Sequence, residues 1–481
     1  MSRLSFGMGP RTVLSVVLLI TTMLLALPAM GQTVSEVAAS QPALTQPAVA
    51  EPVKIDGAAT AWMLISSALV MFMVPGLAMF YAGMVRRKNV LGTMMHSFGA
   101  LAVVGVQWVL FGYMFAFGSS DHRLGGFIGW DPSKIMLMGL TPDSVVSPFG
   151  VPIPEYVWVM FQGMFAIITP ALIAGAFAER VRFSSYLIFT LFWSIFVYNP
   201  LAHMVWGGGW LGYAGPGYHM GAIDFAGGTV VHISAGMSAL VLALYLGKRI
   251  GSSHEILQPN SLVLTLLGAG MLWFGWFGFN GGSAAAADKF AALAFTNTQI
   301  AAAAGALVWM LAEWRKHGKA TSLGVASGLV AGLVAVTPAS GYVPPYAALI
   351  IGALAGLVCY YAVVLKSKLG YDDSLDAFGV HGVGGFLGAL LTGVFARATF
   401  GGVEGGWSQF GIQAAAASIA AIYAVIIALI LTVVIDRIMG FRISENREIE
   451  GLDASVHGEQ GWILEQSSVQ MPGRSPSDSL A

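Results

Sequence analysis

Eleven stretches of the chain run for about 20 residues each without one Asp, Glu, Lys or Arg: 59–81, 96–117, 157–178, 184–206, 228–246, 261–280, 291–312, 321–338, 346–365, 379–396 and 409–435. A bilayer core of ~30 Å needs about 20 helical residues, and only structures that satisfy their own backbone hydrogen bonds can cross it. The sequence therefore predicts an all-α polytopic membrane protein with eleven transmembrane helices. Composition agrees. Charged residues make up 10% of the chain, against ~25% in soluble domains. Its 61 glycines among 481 residues exceed the usual ~7%, as expected where helices approach closely in lipid.

An odd number of spans puts the two ends of the bundle on opposite sides, and the cationic loops say which is which. One side carries Arg86, Arg87, Lys88, Arg180, Arg182, Lys248, Arg249, Arg315, Lys316, Lys319, Lys366, Lys368, Arg437, Arg442 and Arg447, fifteen in all. The other carries four: Arg123, Lys134, Lys289 and Arg397. The asymmetry predicts an N-terminus outside and a C-terminus in the cytoplasm.

Residues 1–31 read as a signal peptide, with Arg3 and Arg11 ahead of the apolar run Val13–Leu27 and small residues around Ala29 and Gly31. An uncleaved signal anchor is the alternative. Residues 32–57 form an Ala/Pro-rich spacer outside the membrane, 58–436 the eleven-helix domain, and 437–481 a cytoplasmic tail.

Other function classes find little support. Lys and Arg (23) nearly cancel Asp and Glu (24), so no basic surface points to nucleic acid. The single cysteine, Cys359, can build neither a disulfide framework nor a cysteine-based metal site. No nucleophile–base pair, phosphate loop or metal cluster is visible, which argues against an enzyme and implies no cofactor.

The chain also repeats itself. Asp224 precedes His232 by eight residues at the start of the fifth span, and Asp373 precedes His381 by eight at the start of the tenth. Glycine follows each histidine four residues later, at Gly236 and Gly385. Five spans separate the copies, so the second is inverted: an inverted five-helix repeat, which places a substrate path between the halves near the midplane. Histidines inside spans mark ion paths or proton relays by default. Two neutral imidazoles can share a hydrogen bond, one nitrogen donating and the other accepting. Satisfied core histidines are the bland alternative. Bis-histidine haem ligation would leave the paired aspartates without a role.

Phe161 and Phe165, four apart, share a helix face. Trp206 ends the fourth span, and Phe279 and Ser283 end the sixth, on the same outer side. Taken singly, each aromatic suits an interfacial anchor. As a set they offer ring faces that bind a small cation by ~0.5–2 kcal/mol.

The runs Asp224-Phe-Ala-Gly-Gly-Thr-Val-Val-His232, Gly275-Trp-Phe-Gly-Phe-Asn280, Asp376-Ala-Phe-Gly-Val-His-Gly382, Ala178-Glu-Arg180 and Ala202-His-Met-Val-Trp-Gly-Gly-Gly209 resemble signatures of the ammonium transporter (Amt/MEP/Rh) family. The resemblance spans roughly residues 57 to 458. It implies an eleven-helix protomer, a homotrimer with one pore per subunit, and ammonium as substrate. By resemblance, Phe161, Trp206 and Ser283 form the outer recruitment site, Phe165 and Phe279 the stacked pair closing the pore, and His232 and His381 the twin-histidine pair. Asp224 matches the family's acid near the recruitment site, with either an electrostatic or a helix-capping role. Asp373 and Asp376 are its electrostatic or structural counterparts at the other repeat. The aromatic outer site resembles the Amt branch rather than Rh proteins. The tail, Glu448-Ile-Glu-Gly-Leu-Asp453 and His457-Gly-Glu459, is similar to the family's regulatory C-terminus and implies a cytoplasmic PII signal protein as partner. The implied location is the bacterial cytoplasmic (inner) membrane. Passive NH3 conduction and ammonium sensing are the rival functions. The outer loop 119–156, with Pro132, Pro142, Pro148 and Pro152, has no task assigned by these readings.

Overall fold

The computed structural model describes residues 53–213, 219–251 and 258–462. The expected signal peptide, most of the spacer and the last part of the tail lie outside the described residues. Ten helices are long and apolar enough to cross a bilayer: α1 Gly57–Met84, α2 Arg87–Phe117, α3 Glu155–Phe177, α4 Phe183–Val205, α5 Gly228–Leu246, α6 Leu262–Gly282, α7 Lys289–His317, α9 Pro345–Leu369, α10 Phe378–Phe395 and α11 Trp407–Met439. Between α7 and α9 lies α8, Ser322–Val336, apolar but only 15 residues long. At 1.5 Å per residue it reaches ~22 Å, short of a full crossing. Each of the eleven apolar stretches thus becomes a helix, and the eighth is a short one. Several of the long helices overrun their apolar stretches: α7 extends to His317 and carries Arg315 and Lys316 in its last turn, where cations complement the helix dipole.

Local chemistry sets the ends. Asp56, Ser261, Asp288 and Thr321 cap α1, α6, α7 and α8 by accepting backbone N–H bonds. Pro345 opens α9. Gly318 and Gly370 close α7 and α9 in the left-handed conformation that glycine tolerates.

Helices related by the repeat meet each other: α1 packs along α6, and the start of α5 crosses the start of α10. The α1–α6 contact is tight because its small residues admit backbone. A Cβ on Gly268 would lie 2.3 Å from the Phe80 nitrogen. Helix α11 lies outside this arrangement, against α4, α5 and α10.

The outer loop folds into short turns and a two-stranded antiparallel hairpin, β1 Val145–Val146 and β2 Ile153–Pro154. It is pinned to the bundle where Asp56 N–H donates to Pro152 O at 2.9 Å. Tyr113 Oη donates to Glu155 at 2.8 Å, and Lys134 pairs with the same carboxylate. "Outer" and "inner" here follow the orientation expected from the cationic loops.

At the inner end the tail folds back on the bundle. Helix α12, Glu445–Glu450, presents Glu448 to Arg442 at 2.8 Å and to the Ile250 N–H at 2.7 Å. Asp453 accepts from the Gly92 N–H at 2.8 Å. The motif Ala178-Glu-Arg180 supplies a buried ionic network. Glu179 pairs with Arg86 at 2.8 Å and Arg249 at 3.6 Å, while Asp372 receives Arg249 at 2.9 Å. Burial opposes the charge on Asp372, yet the Arg249 fork and nearby Arg180 hold its carboxyl down to about 2.

Candidate functional site

The two histidines are delivered by two similar pieces of backbone. Each sits in a turn of π-helix at the start of its span, Gly228–Ile233 for His232 and Phe378–Gly382 for His381. π-turns are uncommon and concentrate at functional sites. Each start is capped by the aspartate found in the repeat. Asp224 Oδ1 accepts from Gly227 and Gly228, and Oδ2 from Thr229 and Val230, at 2.7–3.1 Å. Asp373 accepts from Ala377 at 3.1 Å and Phe378 at 2.8 Å. Of the two roles open for Asp224, the geometry displays the cap. Burial pushes its carboxyl up, and the four N–H groups pull it back. Burial also pushes Asp373 up, to about 6, against the pull of Lys366. Asp376 stands apart from both caps. It holds a left-handed backbone (φ 63) and pairs with Lys366.

The glycines four residues on explain how the histidines come together. A Cβ at Gly236 would sit 2.1 Å from the Gly382 nitrogen, beside His381. One at Gly385 would sit 2.9 Å from the His232 Cβ. Each glycine is therefore the seat for the opposite histidine's turn. Both rings are buried, their centroids 5.2 Å apart with planes 18° from parallel. Nδ1 of one faces Nδ1 of the other at 3.3 Å, a long hydrogen bond in which one must donate and one accept. The pair expected from the repeat is one unit.

An aromatic column leads outward from it. Phe279 lies 6.1 Å from His232, and Phe165 stacks on Phe279 at 4.1 Å with planes 24° apart. Phe161 follows at 4.9 Å from Phe165, and Trp206 meets Phe165 edge-on at 6.2 Å. Phe161, Phe165 and Phe279 are each 1% exposed, and the stacked pair lies between Trp206 and His232. Trp206 Nε1 donates to the Asp224 carbonyl at 2.8 Å, which fixes the indole at the mouth. Ser283 Oγ donates to the Phe279 carbonyl at 2.8 Å, leaving its lone pairs as an acceptor. The seven aromatic, hydroxyl and histidine residues singled out from sequence form one connected cluster, with Phe161 and Trp206 both against Phe165 and Ser283 joined through the Phe279 carbonyl.

Beside the histidines lies a cavity of about 10 Å³, lined by Leu77, Ile168, Leu172, Val231, Leu272 and Val330 among others. That is room for roughly one water between apolar walls. Trp276 also lines it, a residue to which the sequence reading gave no role. Its indole lies nearly parallel to His232 (19°, 5.5 Å), held by a bond from Nε1 to Thr337 Oγ1 at 2.9 Å. The signal was available: Trp276 is three residues before Phe279, on the same helical face. Among the described residues, no group of three or more His, Cys, Asp or Glu is placed to hold a metal ion.

Comparison with known proteins gives the same reading from outside the structure. The Ammonium Transporter Family model matches residues 61–462. An ammonium transporter of Bacillus subtilis is 45% identical over 414 residues, covering 84% of this chain and 98% of that one. One of Aquifex aeolicus is 48% identical over 417 residues, covering 85% and 95%. The crystal structure of Saccharomyces cerevisiae Mep2 superposes with a TM-score of 0.76 at 37% identity, covering 87% and 94%. A solved sensor Amt protein has a TM-score of 0.74 at 27% identity, covering 83% and 98%. Matched over nearly its whole helical bundle, and carrying the paired histidines and ring column at the centre of that bundle, the chain belongs to the ammonium transporter family.

Proposed function

We propose that the protein takes up ammonium by separating it into ammonia and a proton. An intact NH4+ in the apolar lumen faces a burial penalty of several kcal/mol. Potassium, of similar size, would meet the same wall and the same rings. Deprotonation removes the penalty for one ion only. NH4+ binds among Phe161, Trp206 and Ser283, where ring faces stabilise the cation and the hydroxyl accepts an N–H. It releases a proton, and NH3 passes when Phe165 and Phe279 part. The proton moves through the His232–His381 bond, and the two recombine inside. One positive charge crosses per ammonium, and potassium is rejected because it has no proton to lose.

The observation that carries this reading is the Nδ1–Nδ1 contact of 3.3 Å in a lumen walled by aliphatic side chains. Asp224 serves the site as the cap that shapes the mouth, since all four of its bonds go to backbone N–H groups. The accompanying proposals are a homotrimer with one pore per subunit in the bacterial inner membrane, a periplasmic N-terminus after signal removal, and a cytoplasmic tail that engages a PII signal protein.

The test is current across proteoliposomes after an ammonium step. Wild type gives sustained current and discriminates against potassium. Replacing both His232 and His381 with alanine abolishes the current or the discrimination. Survival of both properties in that double variant ends the relay. Ammonia flux without sustained current in the wild type favours a gas channel instead.

A further inference from the structure

A second cavity, separate from the histidine column, opens at the outer end. It holds about 140 Å³ and is lined by Phe149, Phe225, Phe290, Tyr342 and Asp288. At ~30 Å³ per water it has room for an ion several times the size of a bare ammonium. Its walls come from five separate parts of the chain. Phe225 follows the capping Asp224, and Ala284 in the wall follows Ser283, so the cavity stands beside the pore mouth without sharing its rings.

Three features read as a built site. Phe225 and Tyr342 are locked edge-to-face at 5.5 Å and 87°. The fit depends on Gly341, where a Cβ would lie 2.0 Å from the Phe225 ring. Within the single chain Phe149 is 75% exposed on a left-handed backbone (φ 54), a conformation that costs a bulky side chain energy and that the chain's own core does not repay. It is the outer loop 119–156 that supplies this ring. Finally, an ammonium group already lies over one wall: Lys289 Nζ is 5.1 Å from the Phe290 centroid. Asp288 spends only Oδ1 on capping α7, through the N–H groups of Phe290 and Ala291.

Aromatic walls around one carboxylate are the chemistry that recognises alkylated ammonium cations. We propose that this cavity is a binding site for a small alkylammonium ion, with Phe149 as its outer wall and Asp288 as its counter-charge. The proposal stands apart from the transport mechanism, because binding here is measured without flux.

Tetramethylammonium chloride titrated calorimetrically into the purified full-length protein, against a sodium chloride control, tests it. Wild type should show saturable binding at one site per chain. Phe149→Ala removes an exposed ring, and Asp288→Asn keeps a good helix cap, so both variants should fold. Each should weaken binding roughly fivefold, the size of one ring or charge contribution near 1 kcal/mol. Lys289→Ala removes a competing cation from Phe290 and should tighten binding by about twofold. Absence of saturable binding in the wild type overturns the proposal. So does binding that survives both Phe149→Ala and Asp288→Asn unchanged.

Discussion

The two halves of the repeat share a skeleton and differ in what surrounds it. Both begin their last helix with an aspartate cap, a π-turn bearing histidine, and a glycine that seats the opposite turn. Beyond that they part. His232 faces Trp276 and Phe279, the inner end of a ring column reaching Trp206. On the inner side of His381, the Asp373 region is tied instead to ions, through Lys366 and Asp376 and the nearby Arg249–Asp372 pair. A symmetric frame carries an asymmetric lining. The lesson is that the frame brings two imidazoles together, while the surroundings of each imidazole are built from side chains that the repeat does not copy.

Breaking the frame should have the largest effect, and unequally. In Gly236→Ala the new methyl meets backbone, 2.1 Å from the Gly382 nitrogen and 2.3 Å from its Cα. In Gly385→Ala it meets the His232 Cβ at 2.9 Å, the Gly228 carbonyl oxygen at 3.0 Å and the Ile233 nitrogen at 3.2 Å, a milder overlap than the 2.1 Å at Gly236. Overpacking of the first kind costs about 3 kcal/mol or more. Gly236→Ala should abolish ammonium current and sharply reduce recovery of folded protein, whereas Gly385→Ala should fold with reduced current. Size-exclusion profiles and proteoliposome currents of the two variants check the ranking, and equal damage would mean that the halves are not packed as described.

Removing the caps comes next. Asp224→Ala strands four N–H groups and Asp373→Ala two. Losses of about 3 and about 1–2 kcal/mol follow from capping and unsatisfied-donor energetics. Thermal unfolding in detergent should rank Asp224→Ala below Asp373→Ala, with asparagine, whose single acceptor oxygen replaces only one of the two carboxylate oxygens, restoring part of the loss at both sites.

Much of this frame was legible in the sequence, because each part of it follows from a strong local constraint. Charge-free stretches name the helices, the eight-residue spacing names the paired aspartates and histidines, and family signatures name the rings. What stayed hidden depends on the third dimension. Trp276 gains its place only because Thr337, beyond the short α8, reaches its indole nitrogen. The left-handed backbones at Phe149 and Asp376 leave no mark in composition. Some helices also outlast their apolar stretches, since a helix continues through Lys and Arg at the interface and an apolar count stops there. That is why α2 begins at Arg87 and α11 ends at Met439.

The lining can be probed with the frame intact. Thr337→Val keeps the shape but removes the acceptor that holds Trp276 parallel to His232. Trp276→Phe removes the indole altogether. If protons pass through the histidine pair as proposed, loose positioning of the group beside it slows transfer, so Trp276→Phe should lower ammonium current roughly tenfold and Thr337→Val by about threefold, both with little change in melting temperature. Among the described residues, no ring but that of His232 stacks on His381, so Val330→Ala in the same cavity wall should change current less than either. A larger loss from Val330→Ala would remove the asymmetry between the two rings.

The smallest effect separates two neighbouring carboxylates within the inner half. Burial raises Asp373 to about 6, so the folded protein holds that proton more tightly than the unfolded chain does. Its stabilising contribution is complete below pH 4 or thereabouts, and it is lost as pH rises through about 6. Asp372 runs the other way. Held down to about 2 by Arg249 and Arg180 against its burial, it stabilises the fold above the ordinary carboxylate value and loses that contribution as pH falls through about 2. Melting temperatures of the wild type should therefore decline by a few degrees from the first carboxylate on the neutral side and from the second on the acid side. Asp373→Asn should flatten only the neutral limb, and Asp372→Asn only the acid limb. If Asp373→Asn flattens both, the two groups titrate as one unit with Lys366, and the ionic network at the inner end works as a single switch rather than as a cap set beside a salt bridge.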